Sequence, residues 1–125
     1  MAKTAPDQSS QIDARVFRQL LDDTGADILP GIFDLFVDEC RKRLVQMDES
    51  YAEADWKSIG DGAHALKSSS GSFGAIKLQA FARELEVAAR DESLATLRQI
   101  FPQLNSLVNE SLDELTALIA GLRNE

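Results

Sequence analysis

The sequence has one cysteine, Cys40, one histidine, His64, and three prolines among 125 residues. A lone cysteine has no partner for an intramolecular disulfide and suits a reducing compartment, so the expected location is cytoplasmic. One histidine and no C-x-x-C pair remove the strong ligand sets for zinc or haem, and no metal or cofactor is expected on the chain. Nucleotide-binding loops of the G-x-x-x-x-G-K-[ST] or G-x-G-x-x-G type are absent, which argues against a kinase complete in itself. The serines do not sit in a strained nucleophile elbow, so a Ser-His-Asp hydrolase is excluded as well. No apolar run is long enough to cross a bilayer, and the opening M-A-K-T-A-P-D-Q-S-S lacks the apolar centre of a secretory signal. Thirteen basic against 21 acidic residues leave a net charge of −8. A nucleic-acid binder needs a concentrated basic face, and none is visible; the negative field also opposes anionic membranes. Sustained alternation of period two is missing, which excludes a sheet and leaves an all-α chain.

What remains is helical periodicity. Residues 1–11 read as a flexible tail and 12–125 as one domain, long enough to bury a core. A short first helix is expected over Asp13 to Asp22, capped by Asp13 and stopped by Gly25. The second runs from about Asp27 to Glu53, with Asp27 as N-cap and Pro30 in the first turn, where a missing N–H costs little. Its stripe includes Cys40, read as a small buried hydrophobe. Asp55 caps the third helix, which carries His64 and ends between Ser70 and Phe73. The fourth covers Ala75 to Arg90. The last spans Leu94 to Leu122. Pro102 interrupts it: either one long helix kinks there, or a short helix ends near Gln99 and a second begins at Phe101, and because the apolar register continues past the proline the kink is favoured. Short connections predict an antiparallel up-and-down four-helix bundle, with the additional N-terminal helix laid across one end. A monomer is expected.

The centre of the chain is A-H-A-L-K-S-S-S-G-S-F-G-A, Ala63 to Ala75. At helical spacing, Gly60 and Ser68 flank His64 one turn below and above, Lys67 stands beside it, and Gly71 lies two turns up. The apolar residues Trp56, Ile59, Ala63, Leu66 and Phe73 mark a different, buried face. The imidazole therefore points to water on a surface without bulky neighbours. Neutral imidazole is a nucleophile, and its ordinary pKa near 6.5 leaves much of it neutral at cytoplasmic pH. Lys67 could offset the charge of an added phosphoryl group, and Ser68 and Ser69 could donate hydroxyl hydrogen bonds. Glu86, at the edge of the fourth helix's stripe, can face the third helix without full burial.

This run resembles the signature of histidine-containing phosphotransfer (HPt) domains, A-H-x-L-K-G-S-S-x-x-x-G-A. Ala63, His64, Leu66, Lys67, Ser69, Ser70, Gly74 and Ala75 match it. The segment L-x-x-F-A-R-E-L-E, Leu78 to Glu86, is similar to the family's following helix. One departure is Ser68, where the family usually has Gly, with altered partner choice or rate as the expected effect. The resemblance implies that His64 accepts a phosphoryl group from the aspartate of one receiver domain and passes it to another. It implies that the receiver supplies Mg²⁺, and that the partners are receivers of a hybrid sensor kinase and of a response regulator. It further implies that the residue at position 86 bonds the imidazole Nδ1–H and leaves Nε2 free. Docking is expected over His64, at Gly60, Ser68 and Gly71, and on the exposed flanks of the first and second helices, with Val16 and Leu20 as candidate apolar residues. Two alternatives stay open: an adaptor of the same shape that binds partners without phosphotransfer, and a single-histidine metal ligand.

Overall fold

The structure is a computed structural model that describes residues 10–123. The described residues form α1 (Ala14–Thr24), α2 (Leu29–Ala52), α3 (Trp56–Ser72), α4 (Ile76–Arg90), α5 (Leu94–Ile100), a 3₁₀ turn (Phe101–Gln103) and α6 (Leu104–Arg123). Helices α2, α3, α4 and α6 pack in a ring, each against the next, and α1 lies against α2. None is long and apolar enough to cross a membrane. The expected all-α, antiparallel up-and-down bundle with an extra N-terminal helix is the observed architecture.

Local chemistry accounts for most boundaries. Asp13 caps α1 by accepting the Arg15 N–H at 2.9 Å, and Gly25, at φ 90°, closes it with its N–H on the Leu21 carbonyl. Asp55 caps α3 through the backbone N–H and hydroxyl of Ser58, at 3.1 and 2.7 Å. Helix α3 ends in a Schellman motif: Gly74 takes φ 76°, the Ala75 N–H reaches the Ser70 carbonyl and the Gly74 N–H the Gly71 carbonyl. Two expectations are corrected. Asp27 does not cap α2, because the N–H groups of Ile28 and Leu29 both turn back onto the Gly25 carbonyl, so the helix starts at Leu29 without a side-chain cap. At Pro102 the favoured kink gives way to two helices: α5 ends at Ile100 and α6 begins at Leu104, joined by one 3₁₀ turn that absorbs the missing donor without leaving helical geometry.

Aromatic contacts hold both ends of the bundle. Phe73, just past α3, stacks on Phe36 (centroids 4.5 Å apart) and meets Phe33 edge-on. At the other end Tyr51 stacks on Phe101 at 4.2 Å and meets Trp56 edge-on, pinning the 3₁₀ turn to the end of α2. Such pairs contribute about 0.5–1.5 kcal/mol each beyond area burial. Cys40 is buried, and burial pushes its thiol up to about 12, so it packs as a hydrophobe. The expected flexible tail covers residues 1–11. Residues 1–9 lie outside the described residues, while Ser10 and Gln11 are bonded to the Glu114 carboxylate of α6, the Gln11 N–H at 2.8 Å.

Gly74 is where three elements meet. An added Cβ would stand 2.9 Å from the Asp13 carbonyl oxygen and 3.0 Å from the Val16 Cβ, at a backbone conformation that disfavours side chains. Gly74→Ala should therefore cost about 2 kcal/mol and loosen α1, read as a lower urea midpoint with early loss of amide protection in α1. Ser111 is fully buried with no hydrogen-bond partner for its hydroxyl among the described residues. Ser111→Ala removes an unsatisfied polar group at nearly constant volume and should raise stability by about 1 kcal/mol in the same assay.

Candidate functional site

His64 sits midway along α3 with its side chain 56% exposed. Its Nδ1 is 2.8 Å from Oε2 of Glu86, one helix away on α4. The same carboxylate takes the Lys67 Nζ on Oε1 at 2.7 Å and the Arg90 Nη1 on Oε2 at 2.9 Å. Only 4% of the Glu86 side chain is exposed. Full burial corrects the expectation of a half-covered carboxylate: its two oxygens are taken up by the imidazole, the Lys67 amine and the Arg90 guanidinium.

The Lys67 hydrogen bond holds the Glu86 carboxyl below the usual carboxylate range, with the His64 hydrogen bond and the Arg90 charge acting the same way against the opposing effect of burial. An ionised carboxylate only accepts hydrogen bonds, so the proton between the two residues belongs to Nδ1. In the neutral ring that tautomer leaves the Nε2 lone pair free.

The structure brings His64, Lys67 and Glu86 together and distributes the other candidates differently. Ser68 is exposed one turn from His64. The Ser69 and Ser70 hydroxyls are bonded to carbonyls of their own helix, Ala65 at 3.0 Å and Leu66 at 2.6 Å, so Ser69 is not aimed at the ring. Gly60 is buried rather than open, since the Arg90 stem and Ala89 of α4 pack over it. Gly71 is half-covered by the Gln79 amide, which a Cβ would meet at 2.3 Å. Val16 and Leu20 are half-buried, Val16 against Gly74 and Leu20 against the core, because α1 uses them to hold itself down.

Arg90 is the site residue that sequence reasoning missed. Its signal was present as a basic residue one turn after Glu86, but only packing shows the guanidinium folding back onto the carboxylate. The exposed flank of the second helix was expected to take part in docking, but its apolar residues were not named: Ile28, at the N-cap of α2, is 57% and Leu35 71% exposed. Both lie on the line of Gln46, which borders the α2–α3 groove with Asp61 and Gly62.

The sequence profile described as the Hpt domain matches residues 31–125. The chain belongs to the Hpt-domain family. The phosphorelay protein LuxU of Vibrio vulnificus is 33% identical over 81 residues, covering 64% of this chain and 70% of LuxU. Histidine-containing phosphotransfer protein 5 of Arabidopsis thaliana is 31% identical over 90 residues, covering 66% of this chain and 57% of the plant protein. No solved structure matches the chain. Within this Hpt domain the His64–Glu86 contact ties α3 to α4, and it depends on the charge state of Glu86.

The sign of that dependence follows from the lowered carboxyl. The folded domain gives up the Glu86 proton at lower pH than the unfolded chain does, so the stability it contributes is complete above about 4.3 and is lost as pH falls through the depressed folded value. Glu86→Gln should be less stable than wild type at neutral pH, and its loss of stability below about pH 4.3 should be shallower, measured by urea denaturation across a pH series.

Proposed function

We propose that the protein is a phosphocarrier of a phosphorelay, in which His64 Nε2 takes a phosphoryl group from the aspartyl phosphate of one receiver domain and delivers it to the aspartate of another. The observation that carries this reading is an exposed imidazole whose Nδ1 is bonded to a buried, ionised carboxylate. That arrangement fixes the ring and aims its free nitrogen outward, as in-line phosphoryl transfer requires. Membership of the Hpt family and likeness to a phosphorelay protein support the same role.

In this reading the domain is a transfer intermediate rather than an enzyme with its own nucleotide site. Mg²⁺ arrives with the receiver, and the chain binds none itself. The partners are receiver domains of a hybrid sensor kinase and of a response regulator, in the cytoplasm, with the carrier acting as a monomer. Lys67 is 30% exposed and engages Glu86 in the unphosphorylated site; once a phosphoryl group is on Nε2, the amine offsets its charge from one turn away. Ser68 borders the ring on the side the receiver approaches, and its hydroxymethyl tunes the fit there. The receiver reaches beyond the ring to Leu35 of α2, to Ile28 at its N-cap and to the uncovered parts of Val16 and Leu20.

Incubation with a phosphorylated receiver domain tests the proposal. Wild type should acquire an acid-labile, base-stable phosphoryl group, and His64→Gln should acquire none. Stable binding to receivers without label in wild type would leave an adaptor in place of a carrier.

A further inference from the structure

We infer that Glu86 sets how readily phosphorylated His64 gives up its phosphoryl group, by keeping a proton on Nδ1 of the phosphorylated ring. The inference rests on the carrier reading above. In the resting site Nδ1–H points at Glu86 Oε2, 2.8 Å away. When the Nε2 lone pair attacks the phosphorus of an aspartyl phosphate, the N–P bond forms and the P–O bond to the aspartyl oxygen breaks. Its electron pair leaves on the aspartate carboxylate, and no proton moves. The product ring keeps its Nδ1 proton and carries a positive charge beside the phosphoryl group. Discharge from that state to an aspartate or to water expels neutral imidazole. If Nδ1 first loses its proton to solvent, the same bond cleavage must expel imidazolate, a much poorer leaving group.

The groups facing Nδ1 decide where the proton stays. From α4 comes Glu86, with Arg90 on the same carboxylate at 2.9 Å. Arg83 and Glu84 border the neighbouring groove beside Lys67, and Glu92 shares another with Lys57, Asp61 and Arg90. From α3 come Lys67, on the carboxylate at 2.7 Å, and Asp61, one turn before the ring and paired with Lys57 a further turn away. Helix α2 brings Arg43 to the far side of Gly62. Among the described residues only Glu86 bonds to Nδ1. Lys67 and Arg90 keep that carboxyl ionised, so it accepts the proton's hydrogen bond, and they also offset part of its charge. The expected effect is therefore about one pH unit, at the low end of what an adjacent opposite charge produces. A glutamine at this position would keep the ring's orientation through its carbonyl oxygen while lacking the charge, so positioning and lability are separable.

The test uses the full chain and Glu86→Gln, each phosphorylated at His64 with phosphoramidate, a small-molecule donor that needs no partner. Phosphorus NMR follows loss of the N–P signal from about pH 5 to about pH 9. The pH at which loss slows should lie about one unit higher in wild type than in the variant. The wild-type adduct in concentrated urea, where Glu86 no longer faces the ring, should behave like the variant. This second comparison keeps the test decisive if Glu86→Gln folds poorly or takes up no phosphoryl group. Profiles that coincide between folded and unfolded adduct, or between wild type and variant, overturn the inference while leaving the carrier reading intact. Absence of any His64 adduct, from phosphoramidate or from a phosphorylated receiver, overturns both.

Discussion

A carboxylate with almost no accessible surface, bonded at once to an imidazole, an amine and a guanidinium, is the constraint on which this domain's site depends. Burying an ionised carboxyl is costly unless its lone pairs are met by charged donors. Glu86 meets that condition only if α3 and α4 keep one register, because two of its partners, His64 and Lys67, come from α3 and the third, Arg90, from its own helix. The Schellman turn at Gly74 sets this register, and the stacking of Phe73 on Phe36 ties the turn to α2. Backbone geometry at one end of the pair thus aligns side chains several turns away.

The same cluster explains how an exposed imidazole can be held still. A histidine more than half exposed would ordinarily sample several rotamers. Here one ring nitrogen is bonded to a group that cannot move without uncovering a buried charge, although the side chain stays more than half exposed. The cations that neutralise Glu86 are long side chains that stay partly exposed, 30% for Lys67 and 60% for Arg90, while their head groups reach its oxygens. Two cations against one carboxylate leave the pocket net positive even with the ring neutral, on a chain whose total charge is −8. Local and global electrostatics therefore have opposite signs at this site.

Much of this was legible in the sequence because short-range rules governed it. Asp13, Gly25, Asp55 and Gly74 act through their own turns, so their residue types announce the helix ends. The separation of His64 from the apolar face of α3 follows from helical spacing alone. The failures share a different cause. Asp27 was displaced as a cap by a backbone carbonyl that returned from Gly25. Gly60 and Gly71 looked like open notches until side chains of α4 lay across them. Val16 and Leu20 are partly covered because α1 uses them to hold itself down, which spacing alone did not show, while Leu35 and Ile28 stay exposed.

The sequence by itself determined the bundle class, the first four helices and the outward placement of one histidine with a lysine one turn away, since these depend on contacts within a few residues along the chain. Tertiary structure alone decided that Glu86 is sealed from water, that Arg90 shares it with Lys67 and His64, and which small residues remain uncovered. Those outcomes depend on how the α4 side chains lie across α3, and the relative rotation of two packed helices is written in neither helix separately.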